Sequence, residues 1–331
     1  MIDKRPTTIL PWQPPGSVPL MLAPMQGLTN RVLRGLFIEM ARPDVVFTEY
    51  VKVAASIKRS ISENDMLEIT SNSEVPLVVQ LIGSDTDALV AAAKMTQDLG
   101  VNHLNLNFGC PYGRMTGKSS GGGALTQEPV ELAGMLSRLR QVINGSFSIK
   151  MRSGFDNPDQ VFSLLAIFED CGIDFLIIHP RTVQQRYKGP ADHGITAEVV
   201  HKTALPVIAN GDIFTAADGR QVLEQTKAAG LMLGRGAIAD PFLFERLRGS
   251  RPEIISRETR DTELGEYLRE LLSRYQKIFC GEQQVLCKMK EVLALIPDPD
   301  FTKDLRRLQR CKNIAHFIDL LTAIIPVPNQ K

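Results

Sequence analysis

From Leu20 to Ala237 the chain alternates short apolar runs with longer stretches of helical periodicity. The runs are LMLAPM (20–25), VVFTEY (45–50), LVVQLIG (77–83), HLNLNFGC (103–110), FSIKMR (147–152), FLIIHPRT (175–182), PVIANGDI (206–213) and GLMLGRGA (230–237). Their apolar character is nearly continuous, as expected of parallel strands covered on both faces; a half-exposed strand would alternate. Between them, segments such as DQVFSLLAIFEDCG put Val161, Leu164, Leu165 and Phe168 on one face at i, i+3, i+4, i+7 spacing, which predicts a helix. Eight strand-then-helix repeats predict an α/β fold, a closed TIM (β/α)8 barrel.

The pattern changes at both ends. Residues 1–18, with PWQPPGSVP, read as an irregular lead-in, because proline withholds the donor that helix and sheet need. The barrel is expected over 19–248. After PFLFERLRG (241–249) the strand signal stops. TELGEYLRELLSRYQKIF, EQQVLCKMKEVLALI and DLRRLQRCKNIAHFIDLLTAI then read as amphipathic helices, so 249–331 is expected to form a small helical domain.

Composition removes several classes of function. A net charge of +1 does not announce a nucleic-acid binder, so any such partner must be held by a local patch. Residues 285–312 offer one, with seven Lys/Arg against four Asp/Glu. There Lys303, Arg306, Arg307 and Arg310 recur at helical spacing, either as an anion-binding face or as a solvated one. No apolar run is long enough to span a membrane and no export signal is evident, so a cytoplasmic protein is expected, with no obligatory protein partner indicated. Five cysteines without CxxC spacing suggest neither a disulfide framework nor a metal site.

In a barrel the polar residues at the carboxyl ends of the strands converge on one mouth. ANGDI and LGRGA follow the seventh and eighth runs, where barrels commonly hold a phosphate. Gly211, Gly234 and Gly236 would let an anion approach the backbone, or would merely satisfy tight turns. Lys150 ends an otherwise apolar strand, a place where lysine is seldom buried without an anion or cofactor. With Gln80 and the PMQG turn it would suit a flavin mononucleotide, whose reduced ring is anionic. The other reading of Lys150 is an ion pair with Glu49 or Asp212. A free cysteine is commonly an inert small apolar group, but Cys110 closes a strand and enters a Gly/Pro turn. No adjacent histidine would activate it as a nucleophile. A thiol with the usual pKa of about 8.5 stays protonated at neutral pH and can act as a general acid. His179 reads as a flavin contact or as a satisfied polar group.

Taken in order, LAPMQG, TEY, VVQLIG, NLNFGCP, SIKMRSG, IIHPRT, ANGDI and LGRGA resemble the tRNA-dihydrouridine synthase family. That resemblance implies an FMN-dependent barrel with a helical C-terminal domain, which reduces the C5=C6 bond of particular uridines in tRNA and recharges its flavin with NADPH or NADH. It implies that Pro24, Met25 and Gln26 hold the flavin ring, with Gln80, Lys150 and His179 around it, and that Asn210, Gly211, Asp212, Gly234 and Arg235 surround the ribityl phosphate. Cys110 would be the proton donor to C5, and Asn107 would touch a target base flipped out of its stack. TEYVKV, RTVQQRY and SGGGA are most similar to the bacterial branch that modifies uridine 16 of the D-loop. On that likeness Lys52 and Tyr187 are implied RNA contacts, with Lys288, Lys290 and Arg310 of the tail. Two features depart from the family pattern: Pro180 stands where HGRT is usual, and the loop between Cys110 and Ala124 is slightly longer.

Other readings use the same residues differently. An FMN-dependent small-molecule reductase or dihydroorotate-type dehydrogenase would keep the phosphate loops and Lys150 but needs no basic tail. A flavin-free phosphate-binding barrel lyase would use Lys150 as a Schiff-base lysine. A tRNA-binding module without catalysis would have no use for Cys110 and Lys150.

Overall fold

The computed structural model describes residue 10 and residues 17–53, 61–69, 73–112, 121–297 and 302–325. Most of the proline-rich lead-in and residues 113–120 of the glycine-rich loop lie outside the described residues. The strands are β1 (Leu20–Leu22), β2 (Val45–Phe47), β3 (Val51–Lys52), β4 (Leu77–Ile82), β5 (His103–Phe108), β6 (Ser146–Arg152), β7 (Phe175–His179), β8 (Val207–Asn210) and β9 (Gly230–Leu233). All pairings are parallel. β1 pairs with both β2 and β9, and β2 also pairs with β4, so eight strands close into the expected barrel.

The second apolar run is interrupted. Phe47 lies opposite Val78 and Val51 opposite Leu81, so four steps on one strand match three on β4. The extra residue is a bulge at 48–50, with β3 its continuation. Bulges re-aim side chains and gather next to active sites.

The helices are α1 (Arg31–Met40), α2 (Glu63–Ile69), α3 (Thr86–Asp98), α4 (Pro129–Val142), α5 (Gln160–Asp170), α6 (His193–Lys202), α7 (Ala216–Thr226), α8 (Arg235–Ala239), α9 (Leu243–Arg248), α10 (Arg257–Ile278), α11 (Glu282–Leu293), α12 (Thr302–Arg310) and α13 (Ile314–Ile324). In α5 the four apolar residues at helical spacing are the buried ones. The segment DLRRLQRCKNIAHFIDLLTAI, read as one helix, is two. Asn313 between them takes extended backbone, and its side chain accepts the His316 N–H, which starts a new helix there.

Period-two alternation sorts each barrel strand into two faces. Leu104, Leu106 and Phe108 of β5 and Phe147, Ile149 and Met151 of β6 pack outward with Leu132, Leu136, Leu165 and Phe168 of α4 and α5. Met21, Val45, Phe47, Val78, Phe175, Ile177, Ile208 and Met232 point inward, joined by Leu10. Continued along each strand, the inward set reaches Met25, Gln80, Asn107, Lys150, His179, Asn210, Asp212 and Gly234. Gln80, Asn107, Lys150, His179, Asn210 and Asp212, polar residues singled out in the sequence, thus share one parity.

Contacts within the chain define two compact units. The first is Met1–Gln26, Pro43–Ile213 and Ala217–Gly234 and holds the whole barrel sheet. The second is Gly27–Arg42, Phe214–Ala216 and Arg235–Lys331, so α1 belongs with the helices that end the chain. Within it, Phe37 of α1 meets Phe244 and Tyr267 edge-on at 6.2 and 6.0 Å. Among the described residues no helix is long and apolar enough to cross a membrane.

Candidate active site

Three barrel strands carry polar residues across the interior. Their pairing sets Gln80 beside Asn105, Asn105 beside Ser148 and Asn107 beside Lys150. The side chains bond in sequence. Gln80 Nε2 donates to Asn105 Oδ1 at 2.8 Å, Asn105 Nδ2 to Ser148 Oγ at 2.8 Å, and Asn107 Nδ2 to Gln80 Oε1 at 2.8 Å. Thr48, in the bulge, accepts the Gln80 N–H at 3.0 Å. Gln80, Asn105 and Ser148 are buried, and each amide's orientation is set by the next.

Asn107 passes this order on to the cysteine. Its Oδ1 accepts the backbone N–H groups of both Gly109 and Cys110 at 2.9 Å, an Asx turn that aims the chain as it leaves β5. Arg152 holds the same turn from β6, its Nε donating to the Gly109 carbonyl at 3.0 Å. Cys110 is half-buried and free. Burial pushes its thiol pKa up, against the opposing pull of a Tyr112 backbone hydrogen bond and the charges of Arg152 and Lys150. The group is therefore a protonated thiol at neutral pH, with cations at hand for the thiolate it becomes on giving up its proton. Tyr50, carried by the bulge, is close enough that burial first, then Cys110 and Glu49, raise its pKa.

Lys150 Nζ donates to Asn210 Oδ1 at 2.9 Å, and Asn210 Nδ2 donates to the Met232 carbonyl. The bond to an amide stands in place of the ion pair with Glu49 or Asp212 that is the alternative reading of Lys150. Burial, helped by the charge of Arg152, pushes the Lys150 pKa down to about 7. Asp212 is engaged elsewhere: its carboxylate pairs with Arg181 and accepts the Ala191 N–H. Arg181 also donates to His179 Nε2 at 3.0 Å, and since a guanidinium only donates, His179 is an acceptor there.

The two glycine loops sit side by side, because Asn210 lies opposite Met232. Gly211 has φ +123°, and a Cβ there would lie 3.1 Å from Ala191 Cβ and 3.2 Å from His179 Cδ2. No other residue fits that turn. A Cβ at Gly234 would be in ordinary contact with Ala23 and with Met25 Sδ, so Met25 comes up beside Gly234. Pro24 and Met25 are half-buried and Gln26 is exposed, as are Lys52 and Tyr187.

In the second unit Arg235 opens α8 and lies over the Phe214 ring, 5.4 Å from its centroid. Lys288 bonds the Gly27 carbonyl and Glu291. Lys290 bonds the Cys311 carbonyl at 2.6 Å, tying α11 to the end of α12. Lys303, Arg306, Arg307 and Arg310 are exposed while Leu305 and Leu308 are buried. Arg307 and Arg310 border a cavity of about 420 Å³, together with Lys312 and His316.

Sequence reasoning had no role for Arg152, Asn105, Ser148, Tyr50 or Tyr112. A charged residue at the end of a buried strand was a usable signal for Arg152; Asn105 and Ser148 are interruptions of apolar runs at the inward parity. Tyr50 and Tyr112 carried none.

The family profile described as dihydrouridine synthase (Dus) matches residues 21–316. The chain is 33% identical over 239 residues to the tRNA-dihydrouridine(16) synthase of Pseudomonas putida, covering 70% of this chain and 74% of that protein. It is 31% identical over 266 residues to the tRNA-dihydrouridine(16) synthase of Cupriavidus necator, covering 78% and 81%. Among solved structures, an old yellow enzyme homologue from Zymomonas mobilis matches with a TM-score of 0.53 at 13% identity, over 73% of this chain and 91% of that one, a likeness of fold. With the profile running through barrel and helices alike, the protein belongs to the dihydrouridine synthase family.

Proposed function

We propose that this chain is a tRNA-dihydrouridine synthase that uses FMN and NADPH to reduce the C5=C6 bond of a uridine in tRNA, uridine 16 on the likeness of its relatives' names. The observation that carries the chemistry is Cys110, a half-buried thiol held protonated beside two cations at the barrel mouth. The mouth suits a flavin on two counts. Lys150 is an amine whose buried setting, without a countercharge, pushes its pKa down to about 7, so an anionic group beside it would hold its proton. The adjoining turns at Gly211 and Gly234 carry no side chain, so their backbone N–H groups are left bare for a phosphate. Lys150, Gln80, His179, Pro24, Met25 and Gln26 would hold the ring, and Asn210, Gly211, Asp212, Gly234 and Arg235 the phosphate. Asp212 would serve through its backbone, since its carboxylate is taken by Arg181.

When bound, FMN recharged by NADPH supplies the hydride that reaches uracil C6. Cys110 Sγ–H gives its proton to C5, and the thiolate left behind is stabilised by Lys150 and Arg152 until solvent returns a proton. Asn107 keeps the cysteine backbone in place and has one amide hydrogen left for the base. Residues 249–331 are the proposed tRNA-binding part, with Arg310 as a phosphate contact. Lys288 and Lys290 would exchange an internal bond for RNA, and Lys52 and Tyr187 would act at the barrel.

The test is to incubate purified protein with NADPH and tRNA from cells lacking the gene, then map nucleosides by mass spectrometry. Two added hydrogens at one D-loop uridine are expected. A colourless protein with no affinity for FMN would overturn the flavin assignment. NADPH consumed on small alkenes or carbonyls with tRNA untouched would favour the small-molecule reductase.

A further inference from the structure

Two residues beyond Cys110, Tyr112 stacks on Tyr187 with ring centroids 6.2 Å apart and planes 29° apart. The stack contributes little to any core: Tyr112 is 51% exposed and Tyr187 44%. It is nevertheless held firmly. The buried Arg152 guanidinium lies 5.3 Å from the Tyr187 centroid, and His179 meets Tyr187 edge-on at 6.2 Å. Arg186 lies 5.8 Å from the Tyr112 centroid. Arg186 has φ +53°, a left-handed backbone that a non-glycine residue adopts only under constraint, and here the constraint is visible. Arg152 Nη1 donates to the Arg186 carbonyl at 2.6 Å and to the Thr182 carbonyl at 3.0 Å. The same guanidinium bonds Gly109. One buried arginine therefore locks the cysteine turn and the tyrosine loop into a single geometry.

Large rings kept at the surface in fixed orientation, next to a cation, match what single-stranded nucleic acid requires: a face for a base to stack on and a charge for its phosphate. Cys110 has to meet the target base itself, so a stack that begins two residues further on, at the exposed rim, suits its neighbour. We propose that Tyr112, braced by Tyr187, is the stacking platform for the unpaired nucleotide adjoining the target uridine, and that Arg186 takes the phosphate between them. The pair then acts as a specificity determinant, admitting only targets whose neighbour can leave its own stack. This deepens the tRNA reading above and rests on it.

The experiment compares wild type with Tyr112→Ala and Tyr112→Phe. Steady-state kinetics are measured against tRNA and, separately, against NADPH with free flavin as acceptor. Aromatic–base stacking predicts a KM for tRNA raised roughly 5- to 100-fold in Tyr112→Ala, with NADPH kinetics unchanged, and near-complete rescue in Tyr112→Phe. A synthetic tRNA carrying 2-aminopurine beside the target gives a binding readout without turnover. Its fluorescence should be quenched by wild type and Tyr112→Phe and not by Tyr112→Ala. If Tyr112→Ala loses its FMN or its circular dichroism spectrum, Tyr112→Leu, which keeps the bulk without the ring, takes its place with the same expectation. Wild-type tRNA KM and wild-type quenching in the ringless variant would overturn the inference, as would a change confined to the KM for NADPH, which would give the stack to the nicotinamide. A wild type that reduces no uridine in any tRNA would instead overturn the function on which the inference stands.

Discussion

The barrel interior has two unlike halves. β1, β2, β7, β8 and β9 fill theirs with Met21, Val45, Phe47, Phe175, Ile177, Ile208 and Met232. Apart from Val78, β4, β5 and β6 fill theirs with Gln80, Asn105, Ser148 and Asn107, bonded to one another and to Thr48, and with Lys150, bonded to Asn210. The first half is held by burial, which is strong and indifferent to direction. The second is held by bonds that tolerate little displacement, and removing one member strands its partners. The thiol leaves the barrel from the second half. Geometry that chemistry needs is thus set by directional contacts, while the apolar half is held by burial.

The largest effect expected from breaking this division is at the thiol. Cys110→Ala should lower tRNA reduction by on the order of 10² to 10⁴, the usual value of a general acid, while FMN content and NADPH oxidation with free flavin stay at wild-type level. Turnover on tRNA equal to wild type would remove Cys110 from the chemistry. Next come paired stability measurements by denaturant unfolding. Phe47→Ala in the apolar half should cost about 3–5 kcal/mol yet leave the rate per folded molecule unchanged. Asn105→Leu in the polar half should cost less, about 1–3 kcal/mol for the groups it leaves unmet, and should also slow tRNA reduction, because Gln80 and through it Asn107 lose their orientation. If the two variants affected rate alike, the halves would not differ as argued.

The last test is a pH dependence of stability, with no change of chemistry required. In the folded, flavin-free protein Lys150 titrates near 7 instead of at the ordinary lysine value of 10.5. Between those values the unfolded chain carries the extra proton, so stability rises with pH; the penalty for burying the charge is complete below about 7 and gone by about 10.5. Lys150→Met should therefore raise the melting temperature of flavin-free protein most in mildly acidic buffer, with the gain shrinking as pH rises through that window. A gain that ignores pH would mean that the lysine is not discharged by burial.

Much of this was legible in advance, for a physical reason. Parallel strands covered on both faces must be apolar throughout, so eight such runs announce eight strands, and the polar residues that end them stand out against that background. Cys110, Lys150, Gln80 and Asn107 were visible in this way. What escaped notice depended on counting across strands. The bulge that delivers Thr48 and Tyr50 exists only as a mismatch between four residues of one strand and three of another. The break at Asn313 was hidden because helical periodicity continues on both sides of a cap.

The sequence by itself determined the barrel, the order of its strands and several of the groups gathered at the mouth, because burial acts residue by residue and leaves its mark in the order of apolar and polar letters. Only the tertiary structure decided what those groups bond to: that Lys150 meets Asn210 and not a carboxylate, that Asn107 caps the cysteine turn, and that Arg152 joins that turn to Arg186 and the tyrosine stack. Hydrogen bonds and ring contacts depend on distance and angle between residues tens of positions apart, and those are set only when the strands have paired in register and the barrel has closed.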